Sequence, residues 1–209
     1  MAVAEPIGKS TPLILASASS GRAAILRQAG LPFTQQPAQI EERSLEEEAA
    51  RVEGRMDAGS LAMMLAASKA INVSKSVPDA LVIGADQMME CQGTIYHKPP
   101  NLQAAREQLL QLRGRKHSLH AGAAIARDGE ILWRHVSRAD LTMHAFSDAF
   151  LDDYLKGCGE AILQTVGVYR VEGPGIQLFS TIEGDYFTII GLPLLPLLGY
   201  LRECGWLAA

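Results

Sequence analysis

Side chains able to bind a phosphate chain recur in the first half of this sequence, close to the predicted ends of strands and helices. Ser17, Ser19 and Arg22 stand where a short apolar strand turns into a helix, and the free backbone N–H groups of such a helix start bind anions. Glu42 belongs to an acidic run, and Asp86 follows a buried apolar strand. Oxygen ligands for a divalent cation, combined with positive charges for phosphate oxygens, suit a phosphate chain as the ligand.

Two lysines complete this set. Lys69 lies in a predicted helix on the same face as Leu65 and Ala62, so its amine is expected to point along the buried side. Lys98 stands immediately before a rigid Pro-Pro corner. The ordinary alternatives are that Lys69 only extends its amine past an apolar surface and that Asp86 only caps a turn.

Strand and helix patterns alternate along the chain and must position these residues. Short apolar runs and turn signals predict strands over 13–16, from 31, over 80–84 with an end at Gly84, over 117–126, 131–145, 176–182 and 187–190. The Asp128-Gly129 pair predicts a hairpin between the fourth and fifth of these. Helical spacing and caps predict helices over 20–29, 45–56, 61–73, 102–112, 148–155 and 193–204, with a long glycine-containing loop over 157–175.

Composition narrows the class of protein. The 209 residues are 48% hydrophobic, which is enough for a full core, and we expect a flexible lead over 1–11 followed by a single domain over 12–209. The net charge of −4 argues against nucleic acid as a partner. Three widely separated cysteines favour a reducing cytosol, and the apolar run 192–201 is too short to cross a membrane.

Several familiar catalytic signatures are absent. The sequence contains no Walker loop, dinucleotide fingerprint, Gly-x-Ser-x-Gly elbow or His-Glu-x-x-His motif. His117 and His120 fall on opposite faces of a predicted strand, so they are interpreted as ordinary histidines rather than as a metal-binding pair.

Five segments in order carry a resemblance to a known family. The sequence resembles the Maf family, the septum-formation-associated nucleoside triphosphate pyrophosphatases, from about residue 13 to 205. The segments are Leu-Ile-Leu-Ala-Ser-Ala-Ser-Ser-Gly-Arg at 13–22, Val-Ile-Gly-Ala-Asp-Gln at 82–87, His-Lys-Pro at 97–99, Leu-Arg-Gly-Arg-Lys-His at 112–117 and Glu-Gly-Asp-Tyr-Phe-Thr-Ile-Ile-Gly-Leu-Pro at 183–193.

The resemblance implies a fold and a reaction. The fold is an elongated α/β structure, a mixed sheet with flanking helices and two lobes around a cleft, similar to the inosine triphosphate pyrophosphatases. The reaction is metal-dependent hydrolysis of a nucleoside triphosphate to the monophosphate and pyrophosphate. The expected cofactor is Mg²⁺, with Mn²⁺ or Co²⁺ as alternatives, and the expected state is a cytoplasmic homodimer.

The resemblance also implies roles for individual residues. On the matching positions these are Asp86 as the general base, Glu42 with Asp86 as metal-binding carboxylates, Lys69 and Lys98 as catalytic lysines that neutralise phosphate, and Ser17, Ser19 and Arg22 as the phosphate-facing turn. Asp86 is not expected to act alone, because a carboxylate is a weak base at neutral pH. The metal and the positioning of the substrate would supply much of the remaining effect.

Two further positions bear on the base of the nucleotide. Family members similar to the thymidine and uridine triphosphate enzymes carry Thr after the general base and Gln in a later loop, whereas those similar to the 7-methyl-GTP enzymes carry Gln and Glu. This chain has Gln87 and Glu172. A carboxylate can accept hydrogen bonds from the N1–H and exocyclic amine of guanine, so a 7-methyl-GTP-type substrate is favoured.

The departures from the family pattern leave alternatives open. The family usually has arginine where this chain has Gly21, and glycine where this chain has His97. Both changes are compatible with a nucleotide-binding regulator of septum formation that turns over weakly or not at all. A phosphatase or nucleotidyltransferase built on a similar cleft is a third reading, distinguished by its products.

Overall fold

The computed structural model describes residues 7–52 and 56–208, and within them the chain forms seven strands and seven α-helices. The strands are β1 Leu13–Leu15, β2 Thr34–Gln35, β3 Leu81–Cys91, β4 Thr94–Tyr96, β5 Lys116–Arg127, β6 Glu130–Met143 and β7 Phe179–Glu183. The helices are α1 Ser20–Gln28, α2 Glu42–Val52, α3 Ala58–Ser74, α4 Leu102–Leu112, α5 Asp148–Cys158, α6 Tyr186–Ile190 and α7 Leu194–Glu203. Two 3₁₀ helices, Gly159–Gln164 and Pro174–Leu178, lie between α5 and β7.

The strands form a mixed sheet in the order β2-β1-β3-β5-β6-β7, with β4 paired to β3. β1 runs parallel to both β2 and β3, whereas β4 is antiparallel to β3 and β7 is antiparallel to β6. The predicted hairpin is confirmed, since β5 and β6 are neighbours joined only by Asp128 and Gly129, both with positive φ. The predicted α/β class with a mixed sheet is therefore confirmed.

The chain divides into two compact units. The first comprises Met1–Gln87, Ala121–Ser137 and Gly191–Ala209, and the second comprises Met88–His120 and Arg138–Ile190. One large apolar core, which includes Leu109, Leu141 and Leu151, belongs entirely to the second unit. The cleft between two lobes stays a prediction.

Helix α3 packs closely against two glycines of the sheet. A Cβ on Gly84 of β3 would lie 2.0 Å from the carbonyl oxygen of Ala66, and one on Gly122 of β5 would lie 2.6 Å from that of Ala62. Only residues without a side chain allow the helix backbone to approach two neighbouring strands this closely. The contact fixes the register of α3 against β3.

Most predicted helix starts agree with the structure. The side chains of Asn101 and Ser147 cap α4 and α5 as predicted. The cap of α1 is Ser19 rather than Ser20, because the Ser19 hydroxyl accepts a hydrogen bond from the backbone N–H of Arg22. Helix α3 starts three residues before its predicted first residue, since Asp57 caps it.

The prediction that the third strand ends at Gly84 is wrong. β3 continues from Leu81 to Cys91, so Asp86 lies inside a strand and is 5% exposed. Glycine is an ordinary turn signal, but Gly84 serves close packing against α3 instead. Asp86 is therefore held by a rigid strand and not by the turn after it.

The predicted last strand over 187–190 is also wrong, because Tyr186–Ile190 forms the short helix α6. The Asp185 carboxylate accepts hydrogen bonds from the backbone N–H of Thr188 at 2.9 Å and from its hydroxyl at 3.1 Å. This capping contact outweighs the strand preference of β-branched residues. Asp185 has the structural role expected of it.

Several boundaries differ from their predictions. Helix α2 begins at Glu42, three residues before its predicted start, and its predicted end runs into residues 53–55, outside the described residues. β7 begins at Phe179, and the first residues of the predicted strand form a 3₁₀ helix instead. The predicted lead lies outside the described residues over 1–6, whereas Gly8–Thr11 forms a turn whose last carbonyl accepts a hydrogen bond from Trp206.

The helices were also compared with the length and apolarity that crossing a lipid bilayer demands. In the part of the chain that the structure describes, none of them meets that demand.

Candidate active site

Lys69 joins two acidic side chains in the first unit. Its ammonium nitrogen lies 2.5 Å from Oδ1 of Asp86 and 2.8 Å from Oε1 of Glu42. The three residues come from α3, β3 and the first turn of α2, so two short contacts join residues that are distant in sequence. The structure thus brings together three of the residues predicted for catalysis and metal binding.

The packing of α3 on β3 explains this meeting. Gly84 and Asp86 are two residues apart on β3 and share a face of the strand, and Gly84 contacts α3 at Ala66 and Ala70. Lys69 lies on the same buried side of α3. The close approach at Gly84 therefore delivers the Lys69 amine to the Asp86 carboxylate.

Burial makes this ion pair specific. Lys69 is 7% and Asp86 is 5% exposed, whereas the Glu42 side chain is half exposed. A buried charge is costly unless it is paired, so Lys69 and Asp86 depend on each other. Because the Glu42 side chain is half exposed, solvent and ligands can reach it.

Arg22 forms a second buried centre beside this one. Its Nε donates a hydrogen bond to the Gly191 carbonyl at 2.8 Å, and its Nη1 donates to the Ala85 carbonyl at 2.7 Å and to the Ser17 hydroxyl at 3.1 Å. Burial lowers the pKa of Arg22, and the charges of Asp86 and Glu42 oppose that shift. The guanidinium ties α1 to β3 and to the start of the C-terminal segment.

The turn before α1 is shaped by its own hydroxyls. The Ser17 hydroxyl also accepts the backbone N–H of Ser19 at 3.3 Å, and Gln35 donates to the Ser17 carbonyl at 2.8 Å. Ser19 caps α1, as described above. The two predicted serines therefore accept hydrogen bonds from the backbone N–H groups of Ser19 and Arg22 and shape the start of α1.

The remaining predicted residues are placed as follows. Gln87 is half-buried, and a Cβ on Gly191 would lie 3.6 Å from its Cδ. Because neighbouring residues of a strand point to opposite faces, Asp86 and Gln87 work on different sides of β3. Lys98 and Glu172 are exposed residues of the second unit. Their meeting with the first-unit residues stays a prediction.

Two glycines of this site were not identified as functional from the sequence. Gly191 has a φ of +105°, and a Cβ there would lie 3.3 Å from Nε of Arg22. Gly84 was interpreted only as the end of a strand. A glycine within a β-branched run, or directly after one, was the available signal for close backbone approach.

The acidic residues fit a divalent cation that arrives with a phosphate chain. In residues 7–52 and 56–208, no group of three or more His, Cys, Asp or Glu side chains is placed to hold a metal ion. Mg²⁺ is commonly held by one or two carboxylates plus substrate phosphates and water. The oxygens of Asp86 and Glu42, drawn together by Lys69, match that donor set.

Similar known proteins share the name pyrophosphatase. A 7-methyl-GTP pyrophosphatase of Rhizobium meliloti is 50% identical over 92% of this chain and 96% of its own length. A nucleoside triphosphate pyrophosphatase of Nitrobacter winogradskyi is 49% identical over 95% of this chain and 96% of its own. A 7-methyl-GTP pyrophosphatase of Brucella abortus is 48% identical over 91% of this chain and 95% of its own.

A solved nucleoside-triphosphatase, a dITP/XTP pyrophosphatase of Mycobacterium abscessus, aligns over 92% of this chain and 94% of its own with a TM-score of 0.41 and 9% identity. That likeness is too weak to carry an argument. The family model described as Maf-like protein matches residues 12–204. With nearly its whole length matched, the chain belongs to the Maf-like protein family.

Proposed function

We propose that this protein hydrolyses a nucleoside triphosphate to the nucleoside monophosphate and pyrophosphate, and that a 7-methyl-GTP-type nucleotide is its substrate. The observation that carries the proposal is the Lys69 ammonium held between the carboxylates of Asp86 and Glu42. Relatives named for this reaction, about half identical over nearly the whole chain, support it.

Asp86 is the proposed general base. A water molecule attacks one of the two phosphorus atoms that share the α,β-bridging oxygen, and the bond from that phosphorus to the bridging oxygen breaks. The nucleoside monophosphate and pyrophosphate separate, and the proton of the water passes to the Asp86 carboxylate. β3 and Lys69 hold that carboxylate in a fixed position, and such positioning is worth a large part of a hydrolytic barrier. General-base assistance contributes about 10²–10⁴-fold to a rate.

Positive charge and backbone N–H groups would bind the phosphates. Arg22 lies in the first turn of α1, and Lys98 is an exposed lysine expected to neutralise phosphate charge. Gly21 replaces the second arginine of the family pattern, so the backbone N–H groups of Ser20 and Gly21 in the first turn of α1 would carry more of this task.

Asp86 and Glu42 would hold the divalent cation. When bound there, the cation neutralises charge on the phosphate oxygens and on the departing pyrophosphate. We expect Mg²⁺ first and Mn²⁺ or Co²⁺ as substitutes. A cytoplasmic location and a homodimer likewise remain predictions.

Gln87 and Glu172 are the residues proposed to select the base. Glu172 offers acceptors to the N1–H and exocyclic amine of guanine, and Gln87 offers both a donor and an acceptor. The names of two of the relatives, 7-methyl-GTP pyrophosphatases, support this choice.

The test incubates the protein and Mg²⁺ with 7-methyl-GTP, GTP, dTTP, UTP and CTP and identifies the products. We expect pyrophosphate as the product and 7-methyl-GTP as the preferred nucleotide. Asp86→Asn should lower kcat by about 10²–10⁴-fold while nucleotide binding is kept. Asp153→Asn, at an exposed aspartate of α5, is the matched control and should retain the wild-type rate.

Four outcomes would contradict parts of the proposal. Release of single phosphate would refute the proposed release of pyrophosphate. Full activity of Asp86→Asn would refute Asp86 as the general base. Preference for dTTP would refute only the substrate. Tight nucleotide binding without turnover under Mg²⁺, Mn²⁺ and Co²⁺ would favour the regulator alternative, for which Gly21 and His97 are the supporting observations.

A further inference from the structure

In the 165–173 loop of the second unit, some residues are buried and others are exposed to solvent. It joins the two 3₁₀ helices. Val168 is fully buried and Tyr169 is 6% exposed, whereas Glu172 faces solvent. The exposed Glu172 is therefore close in sequence to residues that are buried in the second unit.

Three elements of the second unit hold the loop by hydrogen bonds. From α4, the Gln108 amide donates to the Val166 carbonyl. From α5, the Tyr154 hydroxyl donates to the Val168 carbonyl at 2.9 Å. From β5, Nε2 of His117 shares a hydrogen bond with the Tyr169 hydroxyl at 2.8 Å. Each anchor comes from a different helix or strand, so the loop cannot shift without breaking one of them.

The backbone of the loop is strained at its centre. Val168 has a φ of +57°, a value that a β-branched residue rarely adopts. A Cβ on Gly167 would lie 2.2 Å from Cε1 of Tyr169, because the tyrosine ring folds back over this glycine. Such a conformation persists only where the surroundings determine it, and it is common at ligand-binding segments.

The turn that carries Glu172 follows directly from Tyr169. The backbone N–H of Gly173 donates to the Arg170 carbonyl at 3.2 Å, and a Cβ on Gly175 would lie 2.6 Å from the same oxygen. The turn thus closes on Arg170, the residue after Tyr169, and the same Cβ on Gly175 would lie 3.0 Å from Cβ of Tyr169, so the turn packs against both residues.

The buried His117–Tyr169 pair stabilises the core less than an apolar pair would, because one of its nitrogen atoms lacks a hydrogen bond in the part of the chain that the structure describes. His117 is 1% exposed, and its Nδ1 has no hydrogen-bond partner among the described residues. The Tyr169 ring meets Phe179 edge-on, with centroids 4.7 Å apart. An apolar pair of the same shape would satisfy such a core without an unpaired nitrogen. The polar pair is better explained by the geometry that it imposes.

We propose that His117, acting through the Tyr169 hydroxyl, is a positioning residue that fixes the Glu172 turn and so sets selectivity for the nucleotide base. The inference rests on the proposed function, which gives Glu172 the task of reading the guanine edge. Burial lowers the pKa of His117 to about 4 and raises that of Tyr169, so both groups stay neutral at physiological pH. The contact is a fixed support rather than a switch.

The test measures kcat and KM for 7-methyl-GTP and for UTP. Tyr169→Phe removes only the hydroxyl, and we expect it to lower the selectivity ratio about fivefold or more, chiefly through KM for 7-methyl-GTP. His117→Gln can place an amide near the Nε2 position and should keep most of the ratio, whereas His117→Leu should not. Amide hydrogen exchange over 166–172 should accelerate in Tyr169→Phe.

Two further variants separate positioning from general stability. In a Glu172→Ala background, adding Tyr169→Phe should change the ratio no further, since the residue being positioned is gone. Tyr200→Phe removes one hydroxyl in the first unit and should leave the ratio unchanged. An unchanged ratio in Tyr169→Phe, or a full effect in the Glu172→Ala background, would overturn the inference. Wild-type protein without base preference would overturn the substrate proposal itself, and the inference with it.

Discussion

Lys69 determines the charge balance of the candidate site. Its single ammonium contacts two carboxylates at 2.5 and 2.8 Å, and the Arg22 guanidinium supplies the other buried positive charge nearby. The single ammonium of Lys69 balances one of the two carboxylate charges of Asp86 and Glu42. The lysine thus weakens the attraction of the two carboxylates for a divalent cation without removing it.

Replacing this lysine should expose that attraction. In Lys69→Gln the carboxylates lose their shared positive charge, so we expect Mn²⁺ to bind the nucleotide-free protein about tenfold or more tightly than it binds wild type. Electron paramagnetic resonance of free Mn²⁺ measures this without any turnover. Hydrolysis should fall in the same variant, because Asp86 loses the contact that holds it.

The matched control for this measurement is Lys75→Gln, which removes an exposed lysine just after α3. It should leave Mn²⁺ affinity at the wild-type value. Equal Mn²⁺ affinity in Lys69→Gln and wild type would show that Asp86 and Glu42 do not form a cation site.

The candidate residues of this site were found from the sequence, and their roles stay predictions. The types and order of Ser17, Arg22, Lys69 and Asp86 were sufficient to nominate them. Their hydrogen bonds were not predictable, because Arg22 spends its donors on Gly191 and Ala85, which are distant in sequence and offer only backbone oxygens. No side-chain pattern reports a contact to a carbonyl group.

The packing of α3 on the sheet is the element-level feature that builds the site. Ala62, Ala66 and Ala70 form a small-residue face on the helix, and Gly84 and Gly122 meet it from β3 and β5. Sequence periodicity predicted both the helix and the strand. It could not show that Gly84 serves this contact, because a glycine after an apolar run predicts a turn equally well.

Gly84→Ala tests this packing. The added Cβ would stand 2.0 Å from the Ala66 carbonyl and 2.6 Å from the Ala70 nitrogen, so the helix backbone must move away from β3. We expect the free energy of unfolding to fall by about 3 kcal/mol, measured by urea denaturation. The displaced α3 should also carry Lys69 away from Asp86 and lower kcat.

Gly199→Ala provides the comparison, since a Cβ there meets nothing within 4 Å and the residue lies within α7. It should stabilise the protein by roughly 0.5–1 kcal/mol. If Gly84→Ala were as well tolerated as Gly199→Ala, the close approach of α3 to β3 would not be what positions Lys69.

At the scale of the whole molecule, the order of strands and helices was largely predictable, and the error at the last predicted strand has a local cause. Residues 187–190 have strand-forming side chains but fold as α6, since Asp185 caps a helix there and Gly191 ends it with a positive φ. Local propensity loses where a capping side chain and a left-handed glycine enclose a short segment. Both signals lie beside the segment in the sequence, whereas periodicity considers only the side chains within it.

Global stability should depend on pH through His117. Burial lowers the pKa of this histidine to about 4, against a smaller opposing effect of Asp140, while an unfolded chain titrates near 6.5. Between those values the unfolded state binds more protons than the folded state, so stability is complete above about pH 6.5 and is lost as pH falls towards 4. The contribution lost by pH 4.5 is about 2–3 kcal/mol.

Urea unfolding of wild type and His117→Gln at pH 7.5, 6.5, 5.5 and 4.5 measures this contribution as the difference between their pH slopes. Asp140 does not interfere: burial raises its pKa, but hydrogen bonds from Arg138, Ser118 and Lys116 outweigh this and hold it at about 2, so its contribution is lost only below about pH 4. His144→Gln, at an exposed histidine, should keep the wild-type slope. Parallel curves for wild type and His117→Gln would show that His117 is protonated as readily in the folded protein as in the unfolded chain and would contradict the pKa shift expected from its burial against Tyr169 and Phe179.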